Sequence, residues 1–284
     1  MKRTHKIFDC FIFSNELDIL DIRLNTLGPF VDCFVLVEST HTFTGQPKPL
    51  VYDENKARFT RFHDKIIHVI VDNMPHETKN AYVCEAHQRS AIGRGLTAAK
   101  PDDLIIVSDV DEIPKPDALR GALEKAAGRI TYFEGVYYHF FLNWRLTTRQ
   151  DLMTSRMIEY KNFRDGWLLR STKGRRSTSM PSWVDYLMWL PYAALRHRAF
   201  LRRHICREGC WHFSFMMSPD EVRRKLSAYK PPDRLSLKDL RADAVEERIS
   251  QRRSMFDSEI LRVRMEELPD YVQKHPAKFK HMVD

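Results

Sequence analysis

A chain of 284 residues with 43% hydrophobic and 11% aromatic residues is ordinary for a globular protein that buries a real core. The formal net charge of +8 favours anionic partners such as nucleotides, phospholipid headgroups or nucleic acid. Aromatics do not alternate with basic residues, so no nucleic acid is expected as the primary partner. Cys10, Cys33, Cys84, Cys206 and Cys210 are an odd set without framework spacing, which favours a reducing, cytoplasmic location.

The start Met1-Lys2-Arg3 resembles the basic end of a leader. The apolar run after it is broken by Asp9, so it is read as a first strand, Ile7 to Phe13. No uncharged apolar run is long enough to span a bilayer. Leu17, Leu20, Leu24 and Leu27 are spaced for a helix over Asn15 to Leu27, stopped by Gly28-Pro29. Cys33 to Val37 is a second strand, followed by a polar loop to Pro49. Lys65 to Val71 is a third strand, Glu77 to Leu96 a helix, and Leu104 to Val107 a fourth strand. Asp117 to Ala127 is helical and Arg129 to Phe133 again a strand. This order predicts an α/β fold with a Rossmann-like, mostly parallel central sheet.

Beyond residue 136 the pattern loosens. Tyr137 to Trp144 is expected as a strand and 145–182 as irregular or antiparallel structure. Ser218-Pro219-Asp220-Glu221 caps a helix to about Tyr229, ended by Pro231-Pro232. Leu240 to Val263 is a charged amphipathic helix, and the last twenty residues look peripheral. No internal repeat appears. The expectation is one domain, 1–284, with a nucleotide-binding half at about 1–135 and an irregular, acceptor-side half at about 136–284.

The stretch Leu104-Ile105-Ile106-Val107-Ser108-Asp109-Val110-Asp111-Glu112-Ile113-Pro114 carries the most chemistry. An apolar strand ends in three carboxylates. Asp109 and Asp111, two apart, fall on one side of an extended chain. Paired carboxylates at the carboxyl end of a buried strand suit a hard divalent cation, Mn²⁺ or Mg²⁺, in the place where open α/β sheets bind ligands. The bland alternative is a solvated acidic turn. The helix start at Ser14-Asn15-Glu16 is an anion site or a capped N-terminus. Glu38, ending the second strand, is placed to accept from a ribose or base. Arg89 reaches phosphates, pairs with the acidic turn or, as the bland alternative, faces solvent on its helix. His212 stands among aromatics. The set His204, Cys206, Cys210 and His212 matches no zinc-finger spacing. Residues 183–204 join an aromatic stretch to a basic cluster. They read as an amphipathic element on the core or as a peripheral membrane contact. Pro191 argues against a single helix there.

Asn15 to Arg23, Val37-Glu38-Ser39 with Thr42 to Leu50, Asp109 to Pro114, and Trp211-His212-Phe213-Ser214 with Lys225-Leu226 together resemble glycosyltransferase family 17. They do so in family order over roughly residues 7 to 230. The resemblance implies a GT-A-like fold, a UDP-sugar donor (UDP-N-acetylglucosamine by preference) and a divalent cation. It implies Asp109, Asp111 and His212 at the metal. Glu16, Arg23, Glu38, Arg89 and Asp109 would serve the nucleotide-sugar. The reaction would be an inverting transfer, with Glu112 the first candidate base and Asp165, Asp185 and Glu134 the others. Without an anchor or signal, the expected acceptor is a saccharide outside a secretory lumen, lipid-linked or polysaccharide. Two competing readings are a metal-dependent phosphohydrolase or nuclease, and a non-catalytic basic protein that binds membrane or nucleic acid.

Overall fold

The computed structural model describes residues 5–75, 80–147, 153–174, 182–197, 201–228, 243–255 and 257–284. In chain order the first elements are β1 (Ile7–Phe13), α1 (Leu17–Leu27), β2 (Cys33–Ser39), α2 (Val51–Asn55) and β3 (Ile66–Val71). After them come α3 (Ala81–Ser90), β4 (Leu104–Asp109), β5 (Glu112–Pro114) and α4 (Pro116–Leu123). The chain continues through β6 (Arg129–His139), β7 (Trp144–Leu146), β8 (Met153–Glu159), α5 (Gly166–Ser171) and α6 (Ser182–His197). It closes with β9 (Arg202–Ser214), α7 (Pro219–Ala228), α8 (Ala244–Ser250), β10 (Ile260–Arg262) and α9 (Asp270–Lys274).

One sheet organises the molecule, in the order β10-β7-β6-β8-β4-β1-β2-β3, with β9 alongside β6 and β5 on β9. The first four strands pair in parallel, β4-β1-β2-β3. This is the order of a nucleotide-binding α/β half, and its direction reverses between β1 and β4. From β8 onward the neighbours are antiparallel, except that β6 and β9 run parallel. The α/β architecture with a Rossmann-like parallel half is thus present, and the second half is less irregular than its composition suggests.

Alternation along β1 and β4 feeds two cores. Ile7, Phe11, Leu104 and Ile106 pack on one face of the sheet with α1. Phe8, Cys10, Ile105 and Val107 pack on the other, with Trp189 and Ala193 of α6. Burial on both faces explains why successive residues of these strands are apolar, Asp9 of β1 excepted.

Several expectations need correction. The helix expected over Glu77 to Leu96 is α3 from Ala81 followed by a 3₁₀ segment at Ala91–Leu96; residues 76–79 lie outside the described set. Tyr137 to Trp144 is not a separate strand, because β6 runs through to His139. The helix expected at Leu240 to Val263 is only α8, with β10 after it. Its start lies outside the described residues, as do Tyr229, Pro231 and Pro232. Pro191 sits inside α6 without ending it. It lies on the exposed side, where water can satisfy the carbonyl that a proline frees. The C-terminal twenty residues are not peripheral, since Leu268, Val272 and Phe279 are buried in the core beside α1.

Candidate functional site

β4 brings the acidic run to the point where the strand order reverses. The chain does not stay extended, because Val110 and Asp111 form a turn between β4 and β5. The expectation that Asp109 and Asp111 share one side of a strand therefore fails. The turn is shaped from beneath by Arg23 of α1. Its Nη1 donates to the carbonyls of Asp109 (3.0 Å), Val110 (3.2 Å) and Glu112 (2.7 Å). Its Nε and Nη2 form a two-pronged pair with Asp9 at 2.8 and 2.6 Å. Both side chains are 0% exposed. Arg23 was expected on the nucleotide-sugar; it stands behind the turn with its donors spent.

The carboxylates diverge to different cations. Asp109 accepts from Arg89 at 2.7 Å and Arg170 at 3.2 Å. Burial alone would raise its carboxyl, but these two guanidiniums hold it far below the ordinary range. Arg89 is 1% exposed and also paired with Glu85 at 2.7 Å, so the solvent-facing reading fails and it shows the expected role at the acidic turn. Glu112 accepts from Arg170 at 2.7 Å and from the backbone N–H of Asp109 at 3.0 Å. Asp111 faces His212 Nε2 at 3.7 Å and Lys225 Nζ at 4.0 Å. Burial, reinforced by Asp109 and Glu112, lifts it to about 6 against the pull of His212 and Lys225.

His212 arrives by strand register. β5 and β9 pair antiparallel with Glu112 opposite His212, so a residue a hundred positions later in the chain lies beside the turn. Lys225 reaches in from α7 and pairs with Glu16 at 3.2 Å. Burial would raise the Glu16 carboxyl, but Lys225 and the N–H of Asn15 hold it below its usual value. Glu16 accepts from the backbone N–H groups of Ser14 and Asn15 at 3.3 and 3.0 Å. The expected capping by Ser14 or Asn15 side chains is replaced by this arrangement.

Glu38 of β2, opposite Phe13 of β1, is joined to the Glu16 segment by Lys48, which donates to the Ser14 carbonyl at 3.3 Å. Glu38 is buried and accepts from Tyr52 N at 3.0 Å, with His68 at 3.1 Å and Lys48 at 3.8 Å. The other base candidates are engaged in the framework. Asp165 accepts from Leu168 N at the start of α5, Asp185 pairs with Arg203, and Glu134 accepts from Glu208 N. Arg170 was missed by sequence reasoning, because 145–182 carries no periodicity to place it on a helix. Lys225 was visible only as part of a resembling block, with no role attached.

Residues 1–131 match the model of glycosyltransferase family 17. The same region is 30% identical to the β-1,4-mannosyl-glycoprotein 4-β-N-acetylglucosaminyltransferases of Rattus norvegicus and Homo sapiens over 121 residues. That alignment covers 40% of this chain and 22% and 23% of the two relatives. The chain thus spans less than a quarter of the length of the curated relatives it matches. Glucosyl-3-phosphoglycerate synthase from Mycobacterium tuberculosis is similar at TM-score 0.39 and 13% identity, over 81% of this chain and 82% of that one. A mannosyltransferase from Pyrobaculum calidifontis in complex with GDP-Man and Mn²⁺ scores 0.39 at 12% identity, over 72% and 58%. The family match includes Glu16, Arg23, Glu38, Arg89, Asp109, Asp111 and Glu112. It stops short of Arg170, His212 and Lys225.

A divalent cation can be weighed against the residues present. Among the described residues, no three His, Cys, Asp or Glu side chains converge on one ion-sized point. Asp111 Oδ1 and His212 Nε2, 3.7 Å apart, nevertheless have the separation of two ligands on one ion, about 3–4 Å for bonds near 2.1 Å. Around the turn the carboxylates of Glu16, Glu85, Asp109, Asp111 and Glu112 gather with the cations Arg89, Arg170 and Lys225. The carboxylate and imidazole donors of Asp111 and His212 fit a hard cation completed by phosphate and water oxygens.

Proposed function

We propose that this chain transfers a sugar from a UDP-sugar to a saccharide hydroxyl, with inversion at the anomeric carbon and with divalent-cation dependence. UDP-N-acetylglucosamine is the first donor to test. The observation that carries the reading is the acidic turn at the reversal point of the sheet, inside the span that matches the transferase family.

Asp111 and His212 would hold the cation. When bound, it supplies Lewis-acid neutralisation of the leaving diphosphate. Arg89 and Arg170 fix the Asp109 carboxylate at the edge of the site. Glu112 is 1% exposed with both oxygens engaged, so its work is to position Arg170 and the turn. Lys225, between Glu16 and Asp111, is a cation within reach of a diphosphate without metal coordination. Its ammonium stays charged, because Glu16 and Asp111 outweigh its burial.

Thermal shift tests the donor half. UDP with Mn²⁺ is expected to raise the melting temperature more than either alone, and Asp111→Ala to abolish that gain. Equal stabilisation of Asp111→Ala and the parent would remove the turn from the nucleotide site. Measuring UDP release across several UDP-sugars then assigns the donor. Release from another sugar and none from UDP-N-acetylglucosamine would overturn the donor assignment.

A further inference from the structure

Among the described residues, half of the large hydrophobic side chains left open to solvent lie on one helix. On α6, Trp183, Leu187, Met188 and Leu195 are 67, 57, 40 and 80% exposed. They share the outer side with Pro191. The inner stripe is formed by Asp185, Trp189, Ala193 and His197, all buried. The two stripes follow the helical repeat on opposite sides. An amphipathic surface helix should show polar residues outward; this helix is apolar on both sides. At 16 residues it is too short to span a bilayer, and no helix of the described residues is long and apolar enough to cross one.

The rim of this stripe is basic. At its C-terminal end the exposed Arg164 donates to the carbonyls of Leu195 and Arg196 at 2.9 and 3.1 Å. At its N-terminal end Arg203 bridges Asp185 and the carbonyl of Gly174, which brings the exposed Lys173 alongside. Asp185 is the one acidic residue within the helix, and it is buried against Arg203. An apolar centre with cations at both ends and a tryptophan at one of them complements an anionic interface of headgroups over acyl chains.

We propose that the outer face of α6 docks this protein onto an anionic phospholipid surface. The inference stands on the α6 surface and not on the transfer reaction. It does bear on that reaction, because α6 braces α5. Tyr192 donates to the carbonyl of Ser171 at 3.2 Å, and Arg196 to its hydroxyl at 2.6 Å. Ser171 follows Arg170, which holds Asp109 and Glu112. A bilayer under α6 would therefore lie about one helix diameter, roughly 10 Å, from the helix that carries Arg170, within reach of an acceptor embedded in lipid.

Vesicle co-sedimentation of the full chain tests this, with phosphatidylcholine alone and with added phosphatidylglycerol. Binding is expected on the anionic vesicles, at least about tenfold tighter than on neutral ones and weakened by salt. Leu187→Glu/Leu195→Glu should weaken it at least about tenfold. Leu261→Glu, at an apolar position 59% exposed on β10, should leave it unchanged. Melting curves establish that both variants fold. The UDP–Mn²⁺ thermal shift is read separately, so loss of one result does not imply loss of the other. Absence of vesicle binding, equal binding to both vesicle types, or full binding by the double variant overturns the proposal. So does a dimer in sedimentation that the double variant dissolves, since the stripe would then be a protein interface.

Discussion

Arg23 illustrates how a single residue can govern the acidic turn without touching a ligand. Asp9 is an inward position on β1, and a lone carboxylate there would be intolerable. Arg23 neutralises it and turns its remaining donors on three carbonyls at the turn between β4 and β5. It also lies over the Phe11 ring at 4.6 Å. Arg23→Met should therefore cost roughly 3–5 kcal/mol, since it strands a buried charge and leaves buried carbonyls without donors. Urea unfolding of the variant measures this. A loss below about 1 kcal/mol would show that the turn keeps its shape without the guanidinium. The sequence marks Arg23 as part of a recognisable block, but nothing local separates an arginine that serves a ligand from one that serves a strand. Asp9 in the middle of an apolar run was the available signal.

At the scale of elements, legibility followed burial. β2 and β4 carry continuous apolar runs, and β1 one broken at Asp9, because both faces are covered, and their positions were readable. β8 was not, because Thr154, Ser155 and Arg156 interrupt it although all three are buried. Neighbours satisfy them: Thr154 Oγ1 donates to Phe133 O at 3.0 Å, Ser155 Oγ to Glu112 O at 3.2 Å, and Arg156 Nε to Thr172 O at 3.1 Å. Only tertiary context supplies those partners. The same applies to α5, a six-residue helix too short for a periodic signal, yet the bearer of Arg170. Its fit against α3 rests on Gly166, where an added Cβ would stand 2.3 Å from the Arg89 carbonyl oxygen and 3.0 Å from Ile92. Gly166→Ala is expected to push α5 off α3 and loosen Arg170 from Asp109. The expected signature is a lowered melting temperature together with a smaller UDP–Mn²⁺ shift, by comparison with Gly121→Ala, where nothing lies within 4 Å of the new atom. If both variants behave alike, the close approach of α5 to α3 does not position the arginine.

Over the whole molecule, apolar packing covers both faces of the sheet and the end of β6, and buried titratable groups beside it couple the fold to pH. His197 closes α6 against the core: its Nε2 lies 3.0 Å from Thr172 Oγ1, in the segment just after Arg170. Burial, with Arg196 and Arg164 nearby, pushes its imidazole down to about 4. His139 on β6 is driven down in the same direction by burial. In the unfolded chain a histidine takes up its proton near pH 6.5. The folded His197 refuses it until about pH 4, so between these values the unfolded state binds more protons. Stability is then complete above pH 6.5 and falls as pH drops towards 4, by roughly 3 kcal/mol from this group. His197→Gln can keep a side-chain contact with Thr172 and cannot titrate. Its denaturant midpoint should lie below that of the parent at pH 7.5, and the gap should narrow or reverse by pH 4.5. Parallel curves for the two proteins across that range would mean that α6 can leave the core before the imidazole is protonated. The acid sensitivity would then belong to the carboxylate and guanidinium pairs around β4.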